Sequence, residues 1–197
     1  MEKSRFKKQL EFLIKADKLK NVLRQTAVVD ESRQETVAEH SWHFALTAAT
    51  LLEYSNFPKI DILKVLKMAL VHDLVEVYAG DTFAYDEAGY ADKEEREKEA
   101  ADRIFGLLPE EQSAEFRGLW EEFEAMETPE AVYAAAVDRL QPFINNYMTR
   151  GHTWRLHKVT SDKVYRRMEV VKQAMPELWG FVDEVIRDSI KKGYIKE

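Results

Sequence analysis

The stretch Leu70-Val71-His72-Asp73-Leu74-Val75-Glu76-Val77-Tyr78-Ala79-Gly80-Asp81 sets four side chains able to transfer protons or bind metal into a run otherwise built of helix-core residues. Packing alone does not require them there. Read as a helix, the run brings His72, Asp73 and Glu76 to neighbouring parts of one face, because residues three and four apart stack and adjacent ones differ by roughly 100°. Gly80 is placed to end the helix in a left-handed cap, which lets Asp81 turn back toward the same volume. The upstream residues Ile62, Leu63, Leu66, Met68, Ala69 and Leu70 extend this helix to about Asp61 and carry His72 inward.

Outward from this stretch the same period recurs. Glycine (7) and proline (5) are scarce and no apolar–polar alternation is sustained, so the chain reads as all-α, helices joined by short connections. A first helix over about 4–19 has Phe6, Leu10, Leu13, Ile14 and Ala16 as its expected buried stripe. Residues 21–35 form a polar connection holding Arg24 and Arg33, two arginines able to fork onto a phosphate and each also readable as an ordinary surface residue. The second helix, about 36–54, opens on Thr36 with Glu39 at capping-box spacing and is apolar nearly all round, so it should be central. It carries His40 and His43, of which one is expected to pack or support. Further helices are expected over about 92–108, 109–126, 128–140, 161–174 and 176–191. The basic aromatic segment 150–158 reads as structural, as an interface or as an anion contact. In the 128–140 helix Asp138 follows a run of apolar residues; if buried, it must pair with Arg139, be hydrogen-bonded or hold a metal.

Composition removes several classes of function. With no cysteine, thiol catalysis, thiolate zinc sites and disulfides are excluded. The first residues are charged and do not resemble a signal peptide, and no apolar run is long enough to span a bilayer, so no membrane role and a cytoplasmic setting are expected. A formal charge of -7 argues against a general nucleic-acid binder, while leaving room for a small anionic substrate. The charge is uneven: residues 86–130 hold 16 acids and 5 bases, residues 150–174 hold 7 bases and 2 acids. Solvated faces explain this most simply, with a local anion site or a subunit contact as the alternative.

Taken together, His40, His72 with Asp73, and Asp138 offer two imidazoles and two carboxylates to one divalent cation. Mixed nitrogen and oxygen donors without sulfur suit manganese, iron, cobalt, nickel, zinc or magnesium. Such an ion polarises a phosphoryl oxygen and makes water a nucleophile at neutral pH.

The order His, His-Asp, Asp on a helical chain resembles the HD-domain metal-dependent phosphohydrolases. Glu39-His40-Ser41, then Leu70 to Glu76 and Gly80-Asp81, is similar to the 5'-deoxynucleotidase branch, over roughly residues 18–138. The resemblance implies a single-domain HD-type bundle of about seven or eight helices over residues 1–197, acting as a homodimer on nucleoside 5'-monophosphates. It assigns His40, His72, Asp73 and Asp138 to the metal. Glu76 would orient or deprotonate the attacking water, and Asp81 would protonate the leaving 5'-oxygen. Arg24 would contact the substrate phosphate, and Arg33, seven residues before His40, would steady this loop or the phosphate. The sequence departs from the branch where those nucleotidases carry an arginine and a tryptophan before the first ligand. Here Arg24 is out of step by one residue and Thr26 or a neighbour takes the tryptophan's place, so a preference for deoxyribose is not implied. The competing readings are an HD hydrolase of another phosphorylated metabolite or nucleoside triphosphate, and a helical interaction module with a structural metal.

Overall fold

The computed structural model describes residues 3–86 and 88–197. Among these the chain forms α1 (Arg5–Ala16), β1 (Leu23–Ala27), β2 (Gln34–Thr36), α2 (Val37–Thr50), α3 (Ile62–Val71), α4 (Glu76–Ala79), α5 (Lys93–Phe105), α6 (Glu110–Ala125), α7 (Pro129–Met148), α8 (His152–Leu156), α9 (Ser161–Ala174) and α10 (Trp179–Lys191). Eight of the helices have ten residues or more; α4 and α8 are single turns, so the all-α reading with seven or eight principal helices matches the observed architecture.

The centre is α7, packed against α2, α3, α6 and α9. Ala134, Ala135 and Ala136 give it a thin waist against which neighbouring helices come close, and buried Tyr133 donates across the core to the Ala48 carbonyl at 2.8 Å. Thr128 and Pro129 start it as expected, the Thr128 hydroxyl accepting from Ala131 N–H. It does not stop near Leu140, however, and continues through Pro142 to Met148. Proline lacks only the N–H that would have reached the Asp138 carbonyl, and burial of Phe143 and Asn145 beyond it holds the helix together.

Three further expectations are corrected. The connection 21–35 is not plain loop: β1 and β2 pair antiparallel, Leu23 opposite Thr36 and Ala27 opposite Gln34. Its β-branched residues favour extension, and the turn is closed by Glu31 at φ 60° with Ser32 N–H donating to Asp30 Oδ1 at 2.9 Å. The helix over 61–79 is interrupted at His72, where the hydrogen bonds tighten from i→i−4 to i→i−3: Leu74 N–H to Val71 O, Glu76 N–H to Asp73 O. Residues three apart eclipse in such a turn, which sets Glu76 above Asp73. Gly80 follows at φ 76°, ψ 158°, outside the left-handed helical region and in one reserved for glycine. That extended step sends the chain out of α4 toward Asp81.

The third correction concerns α1. Its apolar stripe faces outward: Phe6, Leu13 and Ile14 are each more than 60% exposed, and Phe12 is its buried residue. The helix is clamped by polar contacts to α6, Gln9 donating to Gln112 at 2.7 Å and Arg5 pairing with Glu111, with Phe12 edge-on to Phe116. Trp42 and Leu46 of α2 and Leu63 and Leu70 of α3 are likewise exposed, so α2 is central on one side only.

Candidate metal centre

Three helices aim four side chains at one small volume. His40, fully buried, stands in the first turn of α2, whose start is fixed by a capping box: Thr36 Oγ1 accepts from Glu39 N–H at 3.2 Å and Glu39 Oε2 from Thr36 N–H at 2.9 Å. His72 and Asp73 occupy the tightened turn after α3, and Asp138 projects from the middle of α7. His40 Nε2 lies 2.8 Å from Asp138 Oδ1 and 3.9 Å from Asp73 Oδ2; His72 Nε2 lies 3.1 Å from Asp73 Oδ2 and 3.6 Å from Asp138 Oδ1.

The outer nitrogens decide what the inner ones can do. His72 Nδ1 donates to the Ala69 carbonyl at 3.0 Å, which can only accept. His40 Nδ1 meets Gln141 Oε1 at 2.7 Å, and because Gln141 Nε2 donates to Glu35 Oε1 at 3.1 Å, this oxygen is the acceptor side of the amide. Both histidines therefore spend their Nδ1 proton outward and turn Nε2 inward, where lone pairs meet carboxylate oxygens. Facing acceptors at 2.8–3.6 Å require a cation between them. Without metal that cation is a proton: burial disfavours a charged imidazole at His72, but Asp73 and Asp138 outweigh it and its pKa is pushed up to about 10. Asp138 is held well below the carboxylate range by hydrogen bonds from the two histidines, against burial. Asp73 is held low against the same burial by His72, Arg24 and His40. The donor set thus fits a divalent ion, with two neutral nitrogens and two ionised oxygens.

Beside the cage, Arg24 Nη1 donates to Asp73 Oδ2 at 3.0 Å and sits 3.8 Å from Asp81 Oδ1, while its Nε is 3.8 Å from Glu35 Oε2. Glu76 is 7% exposed, and its Oε2 has no partner among the described residues. Burial raises its pKa well above the usual value, reinforced by Asp73 and Asp81. Asp81 is likewise raised by burial, which overcomes the pull of Arg24. Arg24, His72, Asp73, Glu76, Asp81 and Asp138 line a cavity of about 310 Å³, which also reaches Thr26, Phe83 and Trp154.

The sequence model of the HD domain family matches residues 16–179 of this chain. The chain belongs to the HD domain family. A solved structure from Magnetospirillum magnetotacticum, described as a predicted metal-dependent phosphohydrolase, superposes on this HD domain with TM-score 0.94 at 45% identity, covering 98% of this chain and 97% of that one. The 5'-deoxynucleotidase HDDC2 of Danio rerio is 35% identical over 68% of this chain and 66% of its own length. The protein of the same name from Dictyostelium discoideum is 33% identical over 70% and 75% respectively. The chain thus spans about two thirds of the Danio relative.

Within the HD domain, His40, His72, Asp73, Asp138, Glu76, Asp81 and Arg24 come together, and Arg33 does not join them. Its guanidinium forks onto Glu39 at 2.6 and 2.7 Å, is half-exposed and does not line the cavity, so it steadies the hairpin and the α2 cap instead of a substrate. His43 supports: its Nδ1 lies 3.0 Å from Gln141 Nε2. Gln141 and Glu35 escaped the sequence reading. Gln141 had a signal, standing three residues after Asp138 on the same helix face; Glu35 had none, because its burial follows from the hairpin. Gln141→Leu is expected to weaken metal affinity about 10–100-fold by freeing the His40 ring, measured by competition with a chromogenic chelator; unchanged affinity would remove Gln141 from this role.

Proposed function

We propose that this chain is a cytoplasmic, metal-dependent phosphohydrolase that cleaves (deoxy)ribonucleoside 5'-monophosphates into nucleoside and phosphate. The carrying observation is Glu76, a buried carboxyl group with an unpartnered oxygen beside a cage of two imidazoles and two carboxylates. A structural metal needs no such neighbour. The names borne by the relatives support the same chemistry, and the cavity is within the size range of small-molecule sites.

His40, His72, Asp73 and Asp138 would hold one divalent ion, which supplies Lewis acidity at the phosphoryl group and acidifies water when bound. Glu76 accepts a proton from the attacking water as its oxygen bonds to phosphorus. The bond from phosphorus to the 5'-oxygen breaks, and Asp81, whose pKa burial raises, is placed to return a proton to that oxygen. Arg24 turns from Asp73 and Asp81 to the phosphate, placing a planar donor opposite the growing charge. Thr26, small and buried where the branch's nucleotidases carry tryptophan, leaves space beside the sugar that accommodates a 2'-hydroxyl.

The test is phosphate release from ribo- and deoxyribonucleoside 5'-monophosphates and triphosphates after metal stripping and re-addition of manganese, cobalt, zinc, nickel, iron or magnesium. Metal-dependent release from monophosphates is expected; none with any ion would sink the assignment. The outward apolar faces of α1, α2 and α3 further support a homodimer. Leu13→Asp at that exposed site should halve the mass seen by light scattering with little loss of stability, and a wild-type protein already of monomer mass would refute the dimer.

A further inference from the structure

We propose that Arg139 and Arg167 form a second anion-binding pole in the metal pocket, so that the phosphomonoester cleaved there carries a further anionic group at its other end. The inference rests on the phosphohydrolase reading and goes beyond it, narrowing the favoured substrate to a phosphomonoester, such as a nucleoside 5'-phosphate, that bears a second anion. Both arginines line the same cavity as Asp73, Glu76 and Asp138. Arg139 directly follows Asp138 on α7, and Arg167 belongs to α9, whose stretch of chain holds the basic run noted in the sequence.

Their environment is unusual for two partly buried guanidiniums. Arg139 donates to the Arg167 backbone carbonyl at 3.4 Å and approaches Met126 Sδ at 3.2 Å, and neither arginine is ion-paired with a carboxylate of the described residues. Four other arginines, Arg33, Arg117, Arg150 and Arg187, each have one within 3 Å. Two uncompensated positive charges facing one cavity repel each other until an anion enters, and the forked geometry of guanidinium suits phosphate or carboxylate. The partly buried Tyr85, which lines the same cavity, has its hydroxyl near both arginines and the Trp154 indole, adding a hydrogen-bonding group.

The rest of the cavity lining suits an organic body carrying polar groups. Phe83 and Phe143 offer flat apolar surface, and Asn146, 6% exposed, keeps a side-chain oxygen unpartnered among the described residues and able to accept from a hydroxyl or amine. A substrate with one phosphate at the metal cage and a second anion at Arg139 and Arg167 meets every one of these groups. A nucleoside 5'-monophosphate, with a neutral base, leaves the arginines unanswered.

Two measurements decide the matter. With metal stripped, the cage is acidic and Arg24 is neutralised by Asp73 and Asp81, so inorganic sulfate should stabilise the protein against heat by binding at the arginine pole. Arg139→Met and Arg167→Met should each abolish that saturable stabilisation, and Arg139→Lys should retain part of it; if sulfate stabilises the wild type and both Met variants equally, or none of them, the pole does not exist. In the metal-loaded enzyme, kcat/KM is compared for a nucleoside 3',5'-bisphosphate, a phosphorylated carboxylic acid, the matching 5'-monophosphate and p-nitrophenyl phosphate. Arg139→Met should lower the ratio of two-anion to one-anion substrates by roughly 10–100-fold, the worth of a charge-assisted pair. The substrate more affected identifies the second anion as phosphate or carboxylate. An active enzyme whose ratio does not move overturns this inference alone, whereas no turnover of any monoester overturns the phosphohydrolase reading beneath it.

Discussion

Glu76→Gln should reduce phosphate release by about 10²–10⁴-fold, the range for a positioned general base, while the protein keeps its full metal content. Glutamine has the same shape and cannot take a proton from water. Glu76 is not among the inward donors that surround the cage, whose closest approaches run between His40, His72, Asp73 and Asp138, so metal stoichiometry should not change. Stability supplies the control. The Glu76 carboxyl is buried beside Asp73 and Asp81, which raise its pKa against the pull of Arg24 and His72, so a neutral replacement removes repulsion and should leave the melting temperature level or raise it. A residue kept for packing would behave in the opposite way, losing stability with no specific loss of turnover. Phosphate release and elemental analysis on the same preparation separate the cases: full activity in the variant removes Glu76 from the chemistry, and lost metal makes it a ligand.

The sequence told most about the residues whose chemistry is too costly to bury without a reason. His72, Asp73 and Glu76 in an apolar run, and Asp138 after the alanines of α7, could be singled out because charges inside a core need partners. The capping box at Thr36 and the Thr128-Pro129 start were equally legible, being local hydrogen-bonding patterns complete within four residues. What failed were statements about which way an apolar face points. The stripe Phe6, Leu10, Leu13 and Ile14 has helical spacing, but spacing does not say whether the same chain supplies a covering surface, and among the described residues it leaves these four exposed. The break of the helix at His72 was hidden for another reason: no glycine or proline marks it, and the tightening shows only in the i→i−3 bonds at Leu74 and Glu76. For Arg33 the sequence left two roles open, steadying the loop or the phosphate, because its spacing from His40 carries no direction. The hairpin turns it toward Glu39, while Arg24 on β1 enters the site.

Asp138→Ala should cost the metal-free protein about 3–5 kcal/mol at pH 7, because it strands a buried positive charge. His72 has its pKa pushed up to about 10, with Asp138 among the groups that outweigh burial, so its imidazole is charged at neutral pH when no metal is present. A pKa raised in the folded state stabilises fully below the unfolded value near 6.5 and less as pH climbs through about 10. Metal-free wild type should therefore lose this contribution between those limits, and in Asp138→Ala the same window should be shallower. Metal changes the accounting. Its binding needs Nε2 of His72 unprotonated, so wild type should release a proton on uptake near pH 7, visible as a calorimetric heat that varies with buffer ionisation enthalpy. Divalent ion at a hundredfold above the dissociation constant should then add about 2.7 kcal/mol. Asp138→Ala, one ligand short, should gain much less at that concentration. Urea unfolding with chelator and with metal measures both differences. If the variant matched wild type in chelator, Asp138 would not be the counter-ion its 2.8 and 3.6 Å approaches to the two imidazoles indicate; if it still gained the full stabilisation from metal, Asp138 would not be a ligand. The two losses are separable because one carboxylate serves two cations in turn, a proton in the empty cage and a metal in the filled one.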